Sequence, residues 1–202
     1  MRVILIRHGE TDFNKNHRLQ GSLDIPLNEK GKEQSLKLLK RLSTLEIDKI
    51  FCSNLIRARD TIEPFLKSKG NITCEYYEEL QENCLGKLNG LTWEEINLKL
   101  KEENKTLDDY GENKKKFISR IMKFWKKKII PIRNEISTLI VITHGGYIVT
   151  LVSHLVKLGF LDIPEGIKIN GPPKNCSMSV IDIRDELLYD LLSYSDDIHL
   201  SS

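Results

Sequence analysis

Three short apolar runs, each stopped by polar residues, recur along the chain. Val3-Ile4-Leu5-Ile6 leads into Arg7-His8-Gly9. Ile47-Asp48-Lys49-Ile50-Phe51-Cys52 leads into Ser53-Asn54, and Leu139-Ile140-Val141-Ile142 into Thr143-His144-Gly145-Gly146. Their length and β-branched content predict strands buried on both faces rather than pieces of helix. Helical patterns fill the intervals. Glu29 to Leu45 places Leu36, Leu39 and Leu42 on one stripe behind Asn28 as N-cap. Leu55 to Lys69 predicts a second helix, which Pro64 should kink or delay. Glu112 to Ile130 carries Phe117, Ile121, Phe124 and Trp125 on one face and stops before Pro131. Tyr147 to Gly159 is apolar on most sides, which predicts deep burial.

Strands alternating with helices predict an α/β fold: a doubly wound, mostly parallel sheet with flanking helices. Ser177 to Ile183, a turn at Arg184-Asp185-Glu186, and Leu187 to Tyr194 predict an antiparallel hairpin near the C-terminus. Residues 80–111 are polar and irregular, with Gly86, Gly90, Gly111 and a short helical pattern from Thr92 to Lys101. They predict a lid insertion, in a lid region extending to about residue 130. One domain over residues 1–202 accommodates the whole pattern.

Composition narrows the function classes. Lys+Arg 31 against Asp+Glu 29 gives a net charge of only +2. No bulk electrostatic attraction to nucleic acid or an anionic membrane follows from that balance. Hydrophobic residues at 40% and charged residues at 30% describe a globular chain rather than a disordered one. No apolar run approaches the ~20 residues of a membrane span. The first run is broken too soon for a signal peptide, so a cytoplasmic address is the expectation. Cys52, Cys74, Cys84 and Cys176 lie far apart without a C-x-x-C pair, which predicts reduced thiols rather than a metal knuckle or a redox dithiol. Ala58 is the only alanine, a compositional bias without chemical content.

Open parallel sheets bind ligands outside the carboxyl ends of their strands. That rule brings Arg7 and His8 together with Ser53 to Arg57 and with His144. Two arginines suit a phosphoryl dianion, because a guanidinium stays charged and donates paired hydrogen bonds. A histidine held between them as one neutral tautomer can attack phosphorus. The convergence predicts a phosphoryl-transfer site.

The residues that follow these runs resemble the histidine phosphatase superfamily, also called the phosphoglycerate mutase-like family. Leu5-Ile6-Arg7-His8-Gly9-Glu10-Thr11 is similar to its signature. Gln20-Gly21, Asp24, Pro26-Leu27, Gly31 and Gln34 resemble the stretch after the family's first strand. Ser53-Asn54-Leu55-Ile56-Arg57-Ala58-Arg59-Asp60-Thr61 resembles the S-x-L-x-R-A-x-x-T segment, and Val141 to Gly146 the second-histidine motif. Asn175-Cys176-Ser177 and the ending Asp196 to Leu200 continue the series in order, over nearly the whole chain.

The resemblance implies a role for each matching residue. His8 would be the nucleophile that becomes phosphohistidine. Arg7, Arg57 and His144 would line the phosphate pocket and stabilise its developing charge. Glu82, within Leu80-Gln81-Glu82-Asn83-Cys84-Leu85-Gly86, would be the proton donor to the leaving oxygen. Asn14, Gln20, Gly21 and Gly145 would bind phosphate or substrate. No metal and no cofactor is implied, and the partner is a small phosphorylated metabolite. His17, His154 and His199 read as surface or packing residues, and Lys114–Lys116 with Lys126–Lys128 as a solvated helix face.

Two positions depart from the family pattern. Leu88-Asn89-Gly90 stands where many phosphatases carry Trp-Glu-Gly, and Gly111-Glu112-Asn113 stands for Gly-Glu-Ser. The leading expectation is a metal-independent phosphomonoesterase of the phosphatase branch. A phosphoglycerate mutase on the same scaffold is the alternative, and a phospho-ligand-binding module without turnover is a further one. Gly146 and Tyr147 replace the Asn and Ser that family mutases resemble one another in having, whereas Gly86 to Leu91 is closer to the mutase pattern.

Overall fold

The computed structural model describes residues 1–201. In chain order the elements are β1 (Arg2–Arg7), α1 (Asp12–Lys15), α2 (Glu29–Leu42), β2 (Lys49–Ser53), α3 (Ile56–Lys69) and β3 (Cys74–Tyr77). They continue with α4 (Trp93–Glu103), α5 (Lys114–Phe124), β4 (Thr138–Thr143), α6 (Gly145–Lys157), β5 (Leu161–Asp162), β6 (Met178–Ile183) and β7 (Tyr189–Asp196). The strands form one seven-stranded sheet in the order β3-β2-β4-β1-β6-β7-β5. β3, β2, β4 and β1 run parallel, β6 pairs antiparallel with both β1 and β7, and β5 is parallel to β7. This is the mostly parallel sheet with a late antiparallel hairpin that the alternation predicted.

The unbroken apolar runs are explained by burial on both faces. Val3, Leu5, Val141 and Ile181 pack on one side with Phe117 and Ile121 of α5 and Ile148 and Leu151 of α6. Ile4, Ile6, Ile140 and Ile142 pack on the other with Leu38 and Leu42 of α2 and Ala58, Ile62 and Phe65 of α3. Successive residues of one strand serve opposite layers, so no polar face is available to either.

Local departures have local causes. Asn28 caps α2, its side chain accepting from Gly31 N–H at 2.8 Å, but the buried stripe is Ser35, Leu38 and Leu42. Leu36 is 53% exposed, so its place on the predicted stripe is corrected. The α2 face is set by contact with α3, where Ser35 Oγ donates to the carbonyls of Thr61 and Asp60 at 2.8 and 3.3 Å. Those bonds also explain how Pro64 sits inside α3. Proline removes the N–H that would have bonded the Asp60 carbonyl, and Ser35 supplies a donor in its place. The segment predicted as one helix from Glu112 to Ile130 begins at Lys114, with Asn113 as N-cap. It widens over Trp125–Ile129 into a turn that buries both Trp125 and Ile129. Lys114–Lys116 and Lys126–Lys128 are exposed, as the solvated-face reading requires.

Candidate active site

The register Arg7↔Thr143 between β1 and β4 sets His8 beside His144 just beyond the sheet. His8 N–H donates to Thr143 O at 3.0 Å, and the two imidazole centroids are 5.1 Å apart. β2 ends at Ser53 in the same layer, and α3 then brings in Arg57.

His8 is 3% exposed, and its Nδ1 lies 2.7 Å from Gly9 O. A carbonyl only accepts, so Nδ1 carries the proton and the lone pair is on Nε2. Burial, followed by the charges of Arg57 and Arg7, holds this imidazole well below the ordinary value of 6.5. The loop is fixed from outside: Asn175 Nδ2 donates to His8 O and Gly9 O at 3.0 and 3.2 Å, and Gly9 N–H donates to Thr61 Oγ1 at 2.8 Å.

Arg57 is fully buried, and all its nitrogens are engaged. Nη1 donates to Leu23 O at 2.6 Å, Nη2 to Gly21 O at 2.8 Å, and Nε to His144 Nδ1 at 3.2 Å. Burial lowers its pKa to about 10, which leaves it charged at neutral pH. A guanidinium can only donate, so His144 Nδ1 accepts and its Nε2–H donates to Ser53 Oγ at 2.9 Å. Burial, then Arg57 and His8, also keep His144 well below 6.5. His144 therefore stands behind the cleft surface as a neutral ring between Arg57 and Ser53. Arg7 Nη1 donates to Pro173 O at 2.7 Å, while its buried Nε has no hydrogen-bond partner among the described residues. Burial lowers the Arg7 pKa and the charge of Glu82 raises it.

Glu82 comes from the segment after β3. Its Oε2 accepts from Gly146 N–H at 2.8 Å, in the first turn of α6, and its Oε1 from Asn83 N–H at 3.0 Å. A Cβ at position 146 would lie 2.5 Å from Glu82 Oε1, and one at 145 would lie 3.2 Å from Arg7 Nε. The two glycines thus let a carboxylate and a guanidinium approach the helix start.

A cleft of about 470 Å³ joins Arg7, His8, Arg57 and Glu82 with Asn14, Gln20, Gly21 and Gly145. Asn14 Oδ1 takes bonds from Thr11 N–H, Thr11 Oγ1 and Asn175 Nδ2, which leaves its amide NH₂ for the cleft. Leu19, Leu85, Trp93, Leu107 and Phe117 form an apolar part of the same wall. His17, His154 and His199 are not among its lining residues. Sequence reasoning missed the roles of Ser53, Asn175 and Arg120 in this arrangement. Ser53 carried a signal, since it opens the matched segment at the end of a strand. Arg120, whose carbonyl partners lie 38 to 41 residues earlier, carried none.

A Schizosaccharomyces pombe protein named probable phosphatase is 36% identical over 203 residues, covering 100% of this chain and 96% of its own. A probable phosphoglycerate mutase of Shigella dysenteriae is 30% identical, covering 93% of this chain and 87% of its own. The crystal structure of a histidine-to-alanine mutant of Entamoeba histolytica phosphoserine phosphatase, in complex with phosphoserine, superposes with a TM-score of 0.73. That structure is 25% identical and covers 98% of each chain. The model of the histidine phosphatase superfamily (branch 1) matches residues 3–196, and the chain belongs to that superfamily.

Proposed function

We propose that this chain is a metal-independent phosphomonoesterase that hydrolyses small phosphorylated metabolites through a phosphohistidine on His8. The observation that carries the reading is the His8 tautomer: Nδ1–H is tied to Gly9 O, and a free Nε2 lone pair shares one cleft with Arg7, Arg57 and Glu82. Relatives named as phosphatases support it.

In the first step Nε2 forms a bond to phosphorus as the ester P–O bond breaks. Glu82, in its acid form, gives its proton to the departing alcohol oxygen. Arg7 and Arg57 stabilise charge on the remaining phosphoryl oxygens, an interaction strengthened by their burial. In the second step the Glu82 carboxylate takes a proton from water. The water oxygen bonds to phosphorus, the P–N bond breaks, and inorganic phosphate leaves with His8 neutral again. The Asn14 amide, Gln20, Gly21 and Gly145 bind the phosphate end in this scheme. Residues of about 80–130 serve as the lid of a single catalytic domain. The four free cysteines support a reducing, cytoplasmic setting.

Rapid quenching during turnover of p-nitrophenyl phosphate tests the reading. An acid-labile, base-stable phosphate should be trapped on His8 and be absent from His8→Ala, and turnover should survive EDTA. A strict Mg²⁺ requirement overturns it. The Shigella relative favours mutase chemistry as a second reading.

A further inference from the structure

Outside the cationic cluster around His8, one guanidinium is built into the structure with unusual completeness. Arg120, on α5, makes a bidentate pair with Glu112: Nε to Oε1 at 2.8 Å and Nη2 to Oε2 at 2.7 Å. The same group donates through Nη1 to the carbonyls of Glu79 and Gln81, at 2.6 and 2.9 Å, and through Nη2 to that of Glu82 at 3.3 Å. Its plane also lies over the Phe117 ring, 5.0 Å from the centroid. Glu112 is itself tied to this loop, its N–H donating to Cys84 O at 2.7 Å.

All three carbonyls belong to the turn that delivers Glu82. The Glu82 side chain reaches one way to Gly146 N–H, while its own carbonyl is held the other way by Arg120. An exposed ion pair is worth little by itself, but Arg120 and Glu112 have side chains only 21% and 17% exposed. The planar fork satisfies backbone acceptors that a lysine, with a single ammonium, cannot match together.

We propose that Arg120, oriented by Glu112, is a positioning residue for the proton donor Glu82. The inference rests on the phosphomonoesterase reading and names what keeps its acid in place. Displacement by about an ångström is enough to cost ~10²-fold in a proton-transfer step. The loss should fall on substrates whose leaving oxygen needs a proton, and much less on those whose leaving group departs as an anion.

The experiment compares glycerol 1-phosphate with p-nitrophenyl phosphate for Arg120→Ala, Arg120→Lys and Glu112→Gln. For Arg120→Ala, kcat/KM on the alkyl ester should fall about 100-fold and on the aryl ester about tenfold or less. Arg120→Lys and Glu112→Gln keep the fold's charge or shape at one partner and should shift the ratio in the same direction. Combining Arg120→Ala with Glu82→Gln should add little to Glu82→Gln alone on the alkyl ester, because both remove one function. An alkyl-to-aryl ratio equal to wild type in the folded variants overturns the inference. A wild type that hydrolyses neither ester instead overturns the underlying phosphomonoesterase reading.

Discussion

Gly146 N–H and the Glu82 carboxylate meet at 2.8 Å across 64 residues of chain, which docks the segment after β3 onto the start of α6. Gly146→Ala should separate stability from activity. The added methyl lies 2.5 Å from Oε1, so the carboxylate must move, and as the end of a flexible side chain it can do so at small cost. Alanine in a helix is favoured over glycine by about 1 kcal/mol. Melting should therefore be unchanged or raised, while alkyl-ester turnover falls by ~10-fold or more. Full activity with a normal melt would show that Glu82 does not work from this position.

Acid should affect turnover later than an ordinary histidine would dictate. As the proposed nucleophile His8 must be neutral to attack, and burial with Arg57 and Arg7 lowers its pKa well below 6.5. Phosphoenzyme formation from p-nitrophenyl phosphate, whose leaving group departs without a proton, should, expressed per substrate dianion, stay flat through pH 6.5 and decline only at lower pH. Arg7→Gln removes one of the charges responsible, so the decline should begin at higher pH. A wild-type limb centred at 6.5 would contradict a buried neutral nucleophile.

The same depressed histidines make the fold sensitive to acid. Below 6.5 the unfolded chain takes up protons that native His8 and His144 refuse until their lower values are reached. Stability should then rise with pH across that window, by up to about 1.4 kcal/mol per pH unit for each histidine. Urea unfolding at pH 7.5 and pH 5 measures the slope, and His8→Asn should reduce it by one proton's share. An unaltered slope in that variant would mean that His8 is protonated in the native state at pH 5.

Hydrolysis should outrun isomerisation. Supplied with 3-phosphoglycerate, with and without 2,3-bisphosphoglycerate, the protein should release phosphate faster than it forms 2-phosphoglycerate. Beyond Arg7 and Arg57 the cleft's cations are Arg18, which is already bonded to Gly90 O and Glu95, and the exposed Lys114, while Leu19, Leu85, Trp93, Leu107 and Phe117 make the rest of that wall apolar. Isomerisation far exceeding phosphate release would assign the mutase reading instead.

The sequence revealed the parts of this fold in which one physical demand dominates. β1, β2 and β4 are buried on both faces, so their runs are continuous and their ends mark the cleft. β3 was missed because Cys74-Glu75-Tyr76-Tyr77 is a half-exposed edge strand with no apolar run, and β5 because it spans only two residues. Leu36 was misplaced because leucine spacing alone permits two stripes, and contact with α3 selects the one through Ser35. At the site, His8, Arg57 and His144 follow from strand ends and motifs. The carbonyls that Arg120 gathers lie in a turn with no periodicity, and backbone acceptors leave no trace in side-chain pattern.

The central position of β1 divides the cleft's residues into two dynamic classes. Flanked by β4 and β6, its amides have ladder partners on both sides, and exposing them requires dismantling the sheet. Deuterium should enter Val3 to Ile6 only through global unfolding, whereas the mostly exposed residues 104–111 between α4 and α5 should exchange through smaller openings. The proposed nucleophile is thus anchored in the slowest-exchanging part of the molecule, and Leu107 and Asp108 of the same cleft lie in one of the faster. Brief protease exposure of the native protein should cut within residues 104–111 while leaving the strand that leads to His8 whole.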